Sequence, residues 1–369
     1  MKSNWKNRIS IIIPVAVLIV FSLAAAALYR KIMDDEQPAA EISTVIYGQD
    51  GKKDGMQLDS EPIRISEEYV YFQDRIVKRF YFEDEEIDEY TAVVGNIFSY
   101  FPDAIEKTFM LVPSRIVFED IEGIDDKENF LKTYEEINVH LGGKANVLDM
   151  YDVLFGHTDE YVYFRTDEVW TALGAYYAAQ NYLERNGIEI YPIENYKENK
   201  FVDYVGTMWA ADGAEYIFNS PDYVSYYTLN GMKNEQTIMA YQNNVYSEFE
   251  SPVIAVSRMG TDIFMGAVFS HSVIEGDGGN SKSLMIIGDK NAKLFAPWLI
   301  PYYEKICVID PAYFAGGHDE FDYLIENNGI TEVLLLTSMN TLDNDVRMDR
   351  IGHLTELPAL PELDETEDE

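Results

Sequence analysis

The stretch Leu284-Met285-Ile286-Ile287-Gly288-Asp289 decides the fold, because it is a short apolar run that ends directly in a Gly-Asp turn. Two further runs of the same kind follow, at residues 306–309 and 333–336. Helix-length segments separate the three runs, around residues 292–303 and 319–327. Short buried strands that alternate with helices are typical of parallel sheets. The spacing therefore predicts an α/β domain, a three-layer sandwich with a mostly parallel central sheet.

Upstream of these runs, the sequence alternates between the periods of strands and helices. A helix is expected to begin at Thr171, continue to about Arg185, and end at Gly187. Residues 190–265 contain short aromatic strands and polar loops. The other expected elements are strands at residues 69–72, 77–82, 109–113 and 161–164, and helices at residues 87–101 and 127–137.

Residues 9–28 form a predominantly apolar run near the start of the chain. At about 1.5 Å per residue, such a helix crosses the roughly 30 Å core of a bilayer. Three bases precede the run, which favours a cytoplasmic N-terminus, although Arg30 and Lys31 follow it. We therefore expect a single-pass membrane anchor in residues 1–31, with the globular domain outside the cytoplasm at a bacterial cell surface. The alternative is a signal peptide cleaved near the small residues 24–27.

The chain is strongly acidic, with 65 Asp and Glu against 28 Lys and Arg and a formal net charge of −37. Such a charge repels nucleic acid, and no basic stripe offsets it, so nucleic-acid binding is excluded as a function. Residues 32–68 lack periodicity and are expected to form a tether. The globular domain is expected at residues 69–355, followed by a disordered acidic tail at residues 356–369.

Cysteine and histidine usage indicates neither a metal site nor a cofactor. The one cysteine, Cys307, lies within an apolar run and is expected to be a buried packing residue. The five histidines are scattered, with no pair at metal-ligand spacing.

Sites in open parallel sheets lie beyond the carboxyl ends of the strands. One segment expected there is Gly288-Asp289-Lys290-Asn291, although a Gly-Asp turn is by itself a weak signal. Residues 165–171 form a second segment, which leads directly into a helix that Thr166 or Asp167 would cap.

Together the two segments resemble the DHHW family, bacterial extracytoplasmic proteins related to the SGNH-like proteins of alginate O-acetylation. The family pattern Y-Y-R-T-D-H-H-W-T-x-x-G-A-Y corresponds to YFRTDEVWTALGAY at residues 163–176. The pattern K-D-S-Y-A-N corresponds to GDKNAK at residues 288–293, and is followed by FAPWL at residues 295–299 and ICVID at residues 306–310. Gly206-Thr207 fits a block between them. The resemblance spans about residues 69–345 and implies an SGNH-hydrolase-like fold.

Enzymes related to this family use an Asp-x-His pair and a serine that attacks an acyl carbon. Asp167 matches the aspartate of that triad, whereas Val169 stands at the histidine position and Lys290 at the serine position. Valine accepts no proton, and an ammonium group is no acyl nucleophile at neutral pH. The resemblance therefore implies a degenerate triad, and we expect a protein that is not an active enzyme.

Neighbours of the triad positions are candidates for lining a ligand cleft. His157 and His271 are possible substitutes for the missing base, whereas Ser281 and Ser283 lie at the wrong end of their strand. The cleft candidates are Arg165, Thr166, Glu168, Trp170, Gly288, Asp289 and Asn291.

The resemblance implies a role in modifying cell-envelope polysaccharide, as a glycan-binding or scaffold component. The implied partners are a cell-surface polysaccharide or a membrane-bound O-acyltransferase. The alternative is an active O-acetyltransferase or acetylesterase with a relocated triad. A third hypothesis is an acidic surface module that binds cations or a basic partner through its charge.

Overall fold

The computed structural model describes residues 55–355, apart from residues 57, 59, 82–83, 211–221, 243–244, 267 and 343–344. All described residues belong to one compact unit of the chain, Lys53–Glu369. The expected anchor at residues 9–28 and the expected acidic tail lie outside the described residues. Among the helices that are described, none is both long and apolar enough to cross a bilayer.

The described strands form one large sheet and two small ones. They are β1 (Arg64–Ile65), β2 (Tyr69–Tyr71), β3 (Ile76–Lys78), β4 (Glu106–Val112), β5 (Asn146–Asp149), β6 (Lys197–Tyr204), β7 (Asp222–Thr228), β8 (Gln236–Gln242), β9 (Val245–Ser251), β10 (His271–Glu275), β11 (Ser283–Gly288), β12 (Lys305–Ile309) and β13 (Glu332–Ser338). The large sheet has eight strands in the order β5-β4-β13-β11-β12-β10-β8-β9. Strands β1–β3 form the second sheet, and β6 pairs with β7 in the third.

The three apolar runs of the sequence are neighbouring parallel strands, as predicted. Strand β11 pairs in parallel with β12 on one side and with β13 on the other. Both β11 and β13 are buried at every position, so both faces of the sheet are covered there. Cys307 is a fully buried residue of β12, and burial raises the pKa of its thiol to about 12.

The sheet is mixed, with a parallel part as expected and an antiparallel extension that the sequence did not indicate. The five strands β5, β4, β13, β11 and β12 pair in parallel, whereas β10, β8 and β9 extend the sheet by antiparallel pairing. Only two residues separate β8 from β9, and so short a link allows antiparallel pairing alone.

The helices pack in two groups. They are α1 (Asp84–Tyr100), α2 (Asp126–Leu141), α3 (Tyr151–Phe155), α4 (Ala172–Arg185), α5 (Lys290–Phe295), α6 (Gly317–Asn327), α7 (Met339–Leu342) and α8 (Asp345–Gly352). Helix α1 contacts α2 and α8, whereas α4 contacts α3 and α5. The arrangement places α4 and α5, which carry the two motif segments, side by side.

Three local expectations are wrong. Residues 161–164 form no strand, because Tyr161 and Tyr163 turn their hydroxyl groups inward to Asp222 and to the carbonyl of Pro113. Helix α4 is capped by Thr171, whose Oγ1 accepts from the Gly174 amide at 3.3 Å, and not by Thr166 or Asp167. The ordered domain also begins before residue 69, because β1 pairs with β2.

Candidate functional site

A cleft of two chambers lies beyond the carboxyl ends of β11, β12 and β13. The small chamber, of about 70 Å³, is enclosed by residues that include Gly288, Ser338 and Ile351. The large chamber, of about 360 Å³, is enclosed by residues that include Tyr204 and Met259. The residues that line both chambers are Val169, Lys290, Asp310 and Tyr313. The chambers are therefore adjacent parts of one cleft at the edge where sites of parallel sheets are expected.

Asp167, Val169 and Lys290 come together at the large chamber, although they lie far apart in the sequence. Asp167 is held by four donors. Its Oδ2 accepts from the Tyr204 hydroxyl at 2.5 Å and from the Thr207 amide at 3.3 Å. Its Oδ1 accepts from the Glu168 amide at 2.8 Å and from Thr207 Oγ1 at 3.1 Å. The carboxylate is thus anchored in the absence of a histidine, and burial, aided by Asp167, raises the pKa of Tyr204.

Gly206 makes this anchoring possible. A Cβ at residue 206 would lie 2.4 Å from the Thr166 carbonyl oxygen and 2.5 Å from Asp167 Cβ, which are prohibitive distances. Glycine lets the loop approach closely enough for the following Thr207 amide to reach the carboxylate.

The two positions that differ from the triad have opposite environments. Val169 is 3% exposed and forms part of the apolar wall of both chambers. The Lys290 side chain is 48% exposed, and its Nζ lies 3.8 Å from Glu168 Oε1. Glu168 also pairs with Lys78, whose Nζ lies 3.6 Å from Oε2. The valine is therefore fixed by packing, whereas the lysine keeps N–H donors that face the cleft.

Asp289 lines the small chamber and connects the ends of β11 and β13. Its Oδ1 accepts from Asn291 N at 2.8 Å and Asn291 Nδ2 at 3.0 Å, which caps α5. Its Oδ2 accepts from the Ser338 amide at 3.0 Å, and from Ser338 Oγ and Thr341 Oγ1 at 2.6 Å each. Asn291 in turn accepts from the Trp170 amide at 3.2 Å, so it joins the two motif segments. Asp289 and Asn291 thus hold the cleft's geometry.

Of the expected cleft candidates, Glu168, Gly288, Asp289 and Asn291 line the small chamber. Arg165, Thr166 and Trp170 line neither chamber. Arg165 pairs with Asp222 at 3.4 Å, and the Thr166 amide donates to the same carboxylate at 2.7 Å. Trp170 is fully buried against Phe295. These three residues stabilise the loop of residues 165–171 and do not face the cleft, because their polar groups bond to other parts of the fold.

The possible substitutes for the missing base and nucleophile lie elsewhere. His157 stacks on Tyr177 with 3.4 Å between ring centroids, and it lines neither chamber. His271, at the carboxyl end of the sheet, is buried with Nε2 3.8 Å from Glu320, and it also lines neither. Ser281 precedes β11 and Ser283 is its first residue, at the opposite end of the strand from Gly288.

Several cleft residues were not anticipated as site residues. Tyr313 follows β12 and Ser338 is the last residue of β13, at the end of the sheet where the rule for parallel sheets could have indicated them. Lys293 lines the large chamber with Nζ 3.8 Å from Asp310 Oδ2. Burial lowers the pKa of the Lys293 ammonium group, against the opposing effect of Asp310. Lys293 lies about one helical turn after Lys290, and this spacing is the sequence signal that could have indicated it. Within the described part of the chain, no cluster of His, Cys, Asp and Glu could hold a metal ion.

The fold and the cleft define a class of α/β proteins that bind ligands where parallel strands end. Within that class, the chain belongs to the DHHW family: the profile described as DHHW protein matches residues 59–309. A search of curated protein sequences gives no significant match.

Two solved structures, those from Eubacterium siraeum and Bacillus cereus, share the fold of this chain. A DHHW family protein from Eubacterium siraeum is 25% identical, with a TM-score of 0.65 over 77% of this chain and 96% of that one. PatB1 of Bacillus cereus, with a sulfonyl adduct, is 16% identical, with a TM-score of 0.61 over 76% and 97% of the respective chains. The O-acetyltransferase domain of Pseudomonas putida AlgJ is 13% identical, with a TM-score of 0.43 over 76% and 96%.

Proposed function

We propose that this chain is a non-catalytic DHHW protein that binds a cell-envelope glycan in the context of polysaccharide O-acetylation. The observation that carries the proposal is the pair Val169 and Lys290, which line the cleft at the positions where the family pattern has histidine and serine. Neither side chain can take the role of the triad residue it replaces, because valine accepts no proton and lysine has no hydroxyl group to attack an acyl carbon. The surrounding hydrogen bonds nevertheless preserve a cleft.

Membrane anchoring through residues 9–28 belongs to the same proposal. The helix would hold an SGNH-hydrolase-like domain outside the cytoplasm, close to the polysaccharide or to a membrane-bound O-acyltransferase as partner. Support comes from the length of the apolar run and from the bases that precede it. The large negative charge of the rest of the chain is compatible with that placement.

The alternative of a relocated triad would require another nucleophile in the cleft. Among the described residues that line the two chambers, Ser338 is the one serine, and there is no histidine. The Ser338 hydroxyl donates its proton to Asp289 Oδ2 at 2.6 Å. That carboxylate also accepts from four other donors, and none of these lining residues is a histidine that could take the serine proton, which favours the non-catalytic proposal.

Hydrolysis of p-nitrophenyl acetate by the full-length protein tests the proposal. We expect wild type, Ser338→Ala and Lys290→Met to give the same rate as heat-denatured protein. Saturable hydrolysis that Ser338→Ala abolishes would establish the relocated triad instead.

Binding of neutral oligosaccharides in low and high salt separates the glycan proposal from an acidic surface module. Glycan binding through polar and apolar contacts is expected to persist at 1 M salt, where the Debye length is about 3 Å. Binding that disappears in high salt would favour the module that recognises a partner by charge.

A further inference from the structure

A second cavity, of about 580 Å³, lies at the amino end of the large sheet. It is lined by residues within the ranges 98–107 and 143–146, which comprise the end of α1, the start of β4 and the turn that leads from α2 into β5. Strand β4 runs parallel to β13, so this cavity, which we call the amino-end groove, and the cleft lie at opposite ends of the sheet. The volume of the groove is within the range of small-molecule sites.

Two lysines line the amino-end groove, and the backbone places both of them there. Lys107 is the half-buried second residue of β4, on the same face of the strand as Phe109, whose ring contacts that of Tyr90 in α1 with 6.0 Å between centroids. Lys144 lies in the turn after α2, which Gly143 permits with a φ of +84°. The strand and the turn therefore bring two ammonium groups to one cavity.

Both ammonium groups are unpaired in a chain that is rich in carboxylates. Six other described lysines form an ion pair with Asp or Glu. Within the described part of the chain, Lys107 and Lys144 have no such partner. Lys144 Nζ lies against α1, 3.9 Å from where a Cβ at Gly95 would be. Among the described residues that line the groove, Asp103 is the one carboxylate, so the local charge is positive although the chain's formal net charge is −37.

The ends of two helices offer an explanation for the lysines that needs no ligand. Helix α1 ends at Tyr100 and α2 ends at Leu141, and the carbonyl groups at a helix C-terminus attract cations. That attraction accounts for the charge of the lysines, but it requires neither a cavity nor further polar groups beside them. The groove has both, which favours a ligand.

The polar groups around the lysines match a hydroxylated anion. A carboxylate or phosphate group could accept hydrogen bonds from both ammonium groups. Ser99 Oγ donates to the Gly95 carbonyl at 2.7 Å, so its lone pairs can accept from a ligand hydroxyl. Asp103 can also accept from a hydroxyl, and the Asn146 side chain can donate or accept. A sugar that carries an acidic group presents both kinds of partner.

The negative charge of the whole chain does not prevent a small anion from binding. At about 0.1 M ionic strength the Debye length is about 10 Å, so distant carboxylates repel the anion only weakly. Ammonium groups at contact distance keep most of their attraction under the same conditions. A long polyanion such as nucleic acid would extend beyond the groove to the acidic surface, whereas a small ligand interacts mainly with the groove itself.

We propose that the amino-end groove binds a small sugar that carries a carboxylate or phosphate group. The anionic group would lie between Lys107 and Lys144, and the hydroxyl groups of the sugar would contact Ser99, Asp103 and Asn146. This site goes beyond the proposed function, because it lies at the opposite end of the sheet from the cleft and shares none of the cleft's lining residues.

The test is a ligand-observed NMR titration of the full-length protein with glucuronate, glucose 6-phosphate and neutral glucose. We expect both anions to bind at least tenfold more tightly than glucose. Lys144→Met is expected to weaken anion binding about tenfold because it removes one charge-assisted hydrogen bond, whereas Lys144→Arg should retain it. The matched control is Lys132→Met, which changes the net charge equally. The Lys132 side chain is 50% exposed and pairs with Glu136 at 3.9 Å outside the groove, so this variant should bind like wild type.

Comparison of the probes identifies the anionic group and tests the sugar contacts. A preference for glucuronate or for glucose 6-phosphate identifies the group as carboxylate or phosphate, and either result supports the site. Inorganic phosphate that binds as tightly as glucose 6-phosphate would overturn the contacts assigned to the sugar hydroxyl groups. Equal anion binding by wild type and by Lys107→Met with Lys144→Met would overturn the site and leave the lysines as partners of the helix ends. None of these results bears on the cleft, which neutral oligosaccharides test separately.

Discussion

Each end of the large sheet holds a carboxylate that accepts several hydrogen bonds, buried at the amino end and half-buried at the carboxyl end. At the amino end, Glu332 accepts from Lys282 Nζ at 2.6 Å, Tyr182 OH at 3.2 Å and Tyr303 OH at 2.5 Å. At the carboxyl end, Asp289 accepts from five donors, among them Ser338 Oγ at 2.6 Å. Both carboxylates are therefore structural, because networks as fully satisfied as these fix one arrangement of the strand ends.

The difference between the two ends lies in the residues next to the carboxylates. Lys282 is engaged with Glu332 at hydrogen-bond length, whereas Lys290 is 48% exposed and only loosely paired with Glu168. At the cleft, therefore, one residue stabilises the fold and the residue next to it is available for ligand contact. Asp289 holds the strand ends together, and Lys290 faces the cavity.

The largest expected effect is the loss of the Asp289 network. Asp289→Ala removes the cap of α5 and leaves donors of Asn291, Ser338 and Thr341 without their acceptor. We expect the free energy of unfolding to fall by about 3 to 5 kcal/mol, measured by urea denaturation. The adjacent control, Lys290→Ala, should change it by less than about 0.5 kcal/mol because Lys290 is exposed. Similar losses for the two variants would contradict the separation of stability from ligand contact.

His271 is a buried group at the carboxyl end of the sheet, and it should make the stability of the domain depend on pH. Desolvation lowers the pKa of His271 from 6.5 to about 4, while the nearest carboxylate, on Glu320, lies 3.8 Å away. Between these pH values the unfolded chain binds a proton that the folded chain does not. The free energy of unfolding therefore falls as the pH drops from 6.5 to 4, by at most about 3 kcal/mol from this residue.

The measurement for His271 compares the slope of unfolding free energy against pH in wild type and in His271→Gln. We expect the variant to lose the His271 contribution between pH 6.5 and 4, whereas His140→Gln should retain it because the His140 side chain is 48% exposed. Parallel pH profiles for wild type and His271→Gln would show that burial does not hold the histidine neutral.

Much of the fold was predictable because its signals are local. The apolar runs of β11, β12 and β13 indicate parallel strands by their length, and the Gly-Asp turn after β11 gives the place of the cleft. Residues 161–164 were predicted to form a strand because their side chains alternate as in a strand. In the structure they are buried in a loop, where the Tyr161 hydroxyl donates to Asp222, 61 positions away. That contact depends on tertiary structure, and no local pattern reports it.

The site was predictable only in part, for the same reason. The motif segments contain Asp167, Val169 and Lys290, and the structure brings all three to one chamber. Tyr204, which holds Asp167 in the absence of a histidine, lies 37 positions away in a strand that has no chemical signature of its own. Likewise, Met259 lines the large chamber, but it lies in a loop whose sequence has no feature that marks it as part of a site.

Restoring the triad is expected to produce a small gain in activity. Val169→His with Lys290→Ser places a base and a hydroxyl at the large chamber. The new histidine would find Asp167 already engaged by four donors, including Tyr204 at 2.5 Å. We therefore expect hydrolysis of p-nitrophenyl acetate to rise at most about tenfold over wild type, which corresponds to about 1.4 kcal/mol in barrier height.

Each single substitution is the control for the double variant, and neither alone should raise the rate. Adding Tyr204→Phe frees Asp167 Oδ2 from the phenol and should increase the rate further. A double variant without activity, even with Tyr204→Phe, would argue that the hydrogen-bond donors for the acyl oxygen are also missing.

The smallest expected effect is that of removing the N-terminal segment. Deleting residues 1–36 takes away the predicted anchor and part of the expected tether, and we expect a soluble domain whose free energy of unfolding differs from that of the full-length chain by less than about 0.5 kcal/mol. The matched control is a deletion of residues 1–78, which removes β1–β3 and Arg75. Arg75 is fully buried and donates to Glu119 at 2.9 and 2.8 Å, so its loss leaves a buried carboxylate with fewer partners and should destabilise the domain by about 3 kcal/mol or more. If the shorter deletion destabilises the domain as much as the longer one, residues 1–36 contribute to the folded core, and the proposal of an independent membrane anchor is wrong.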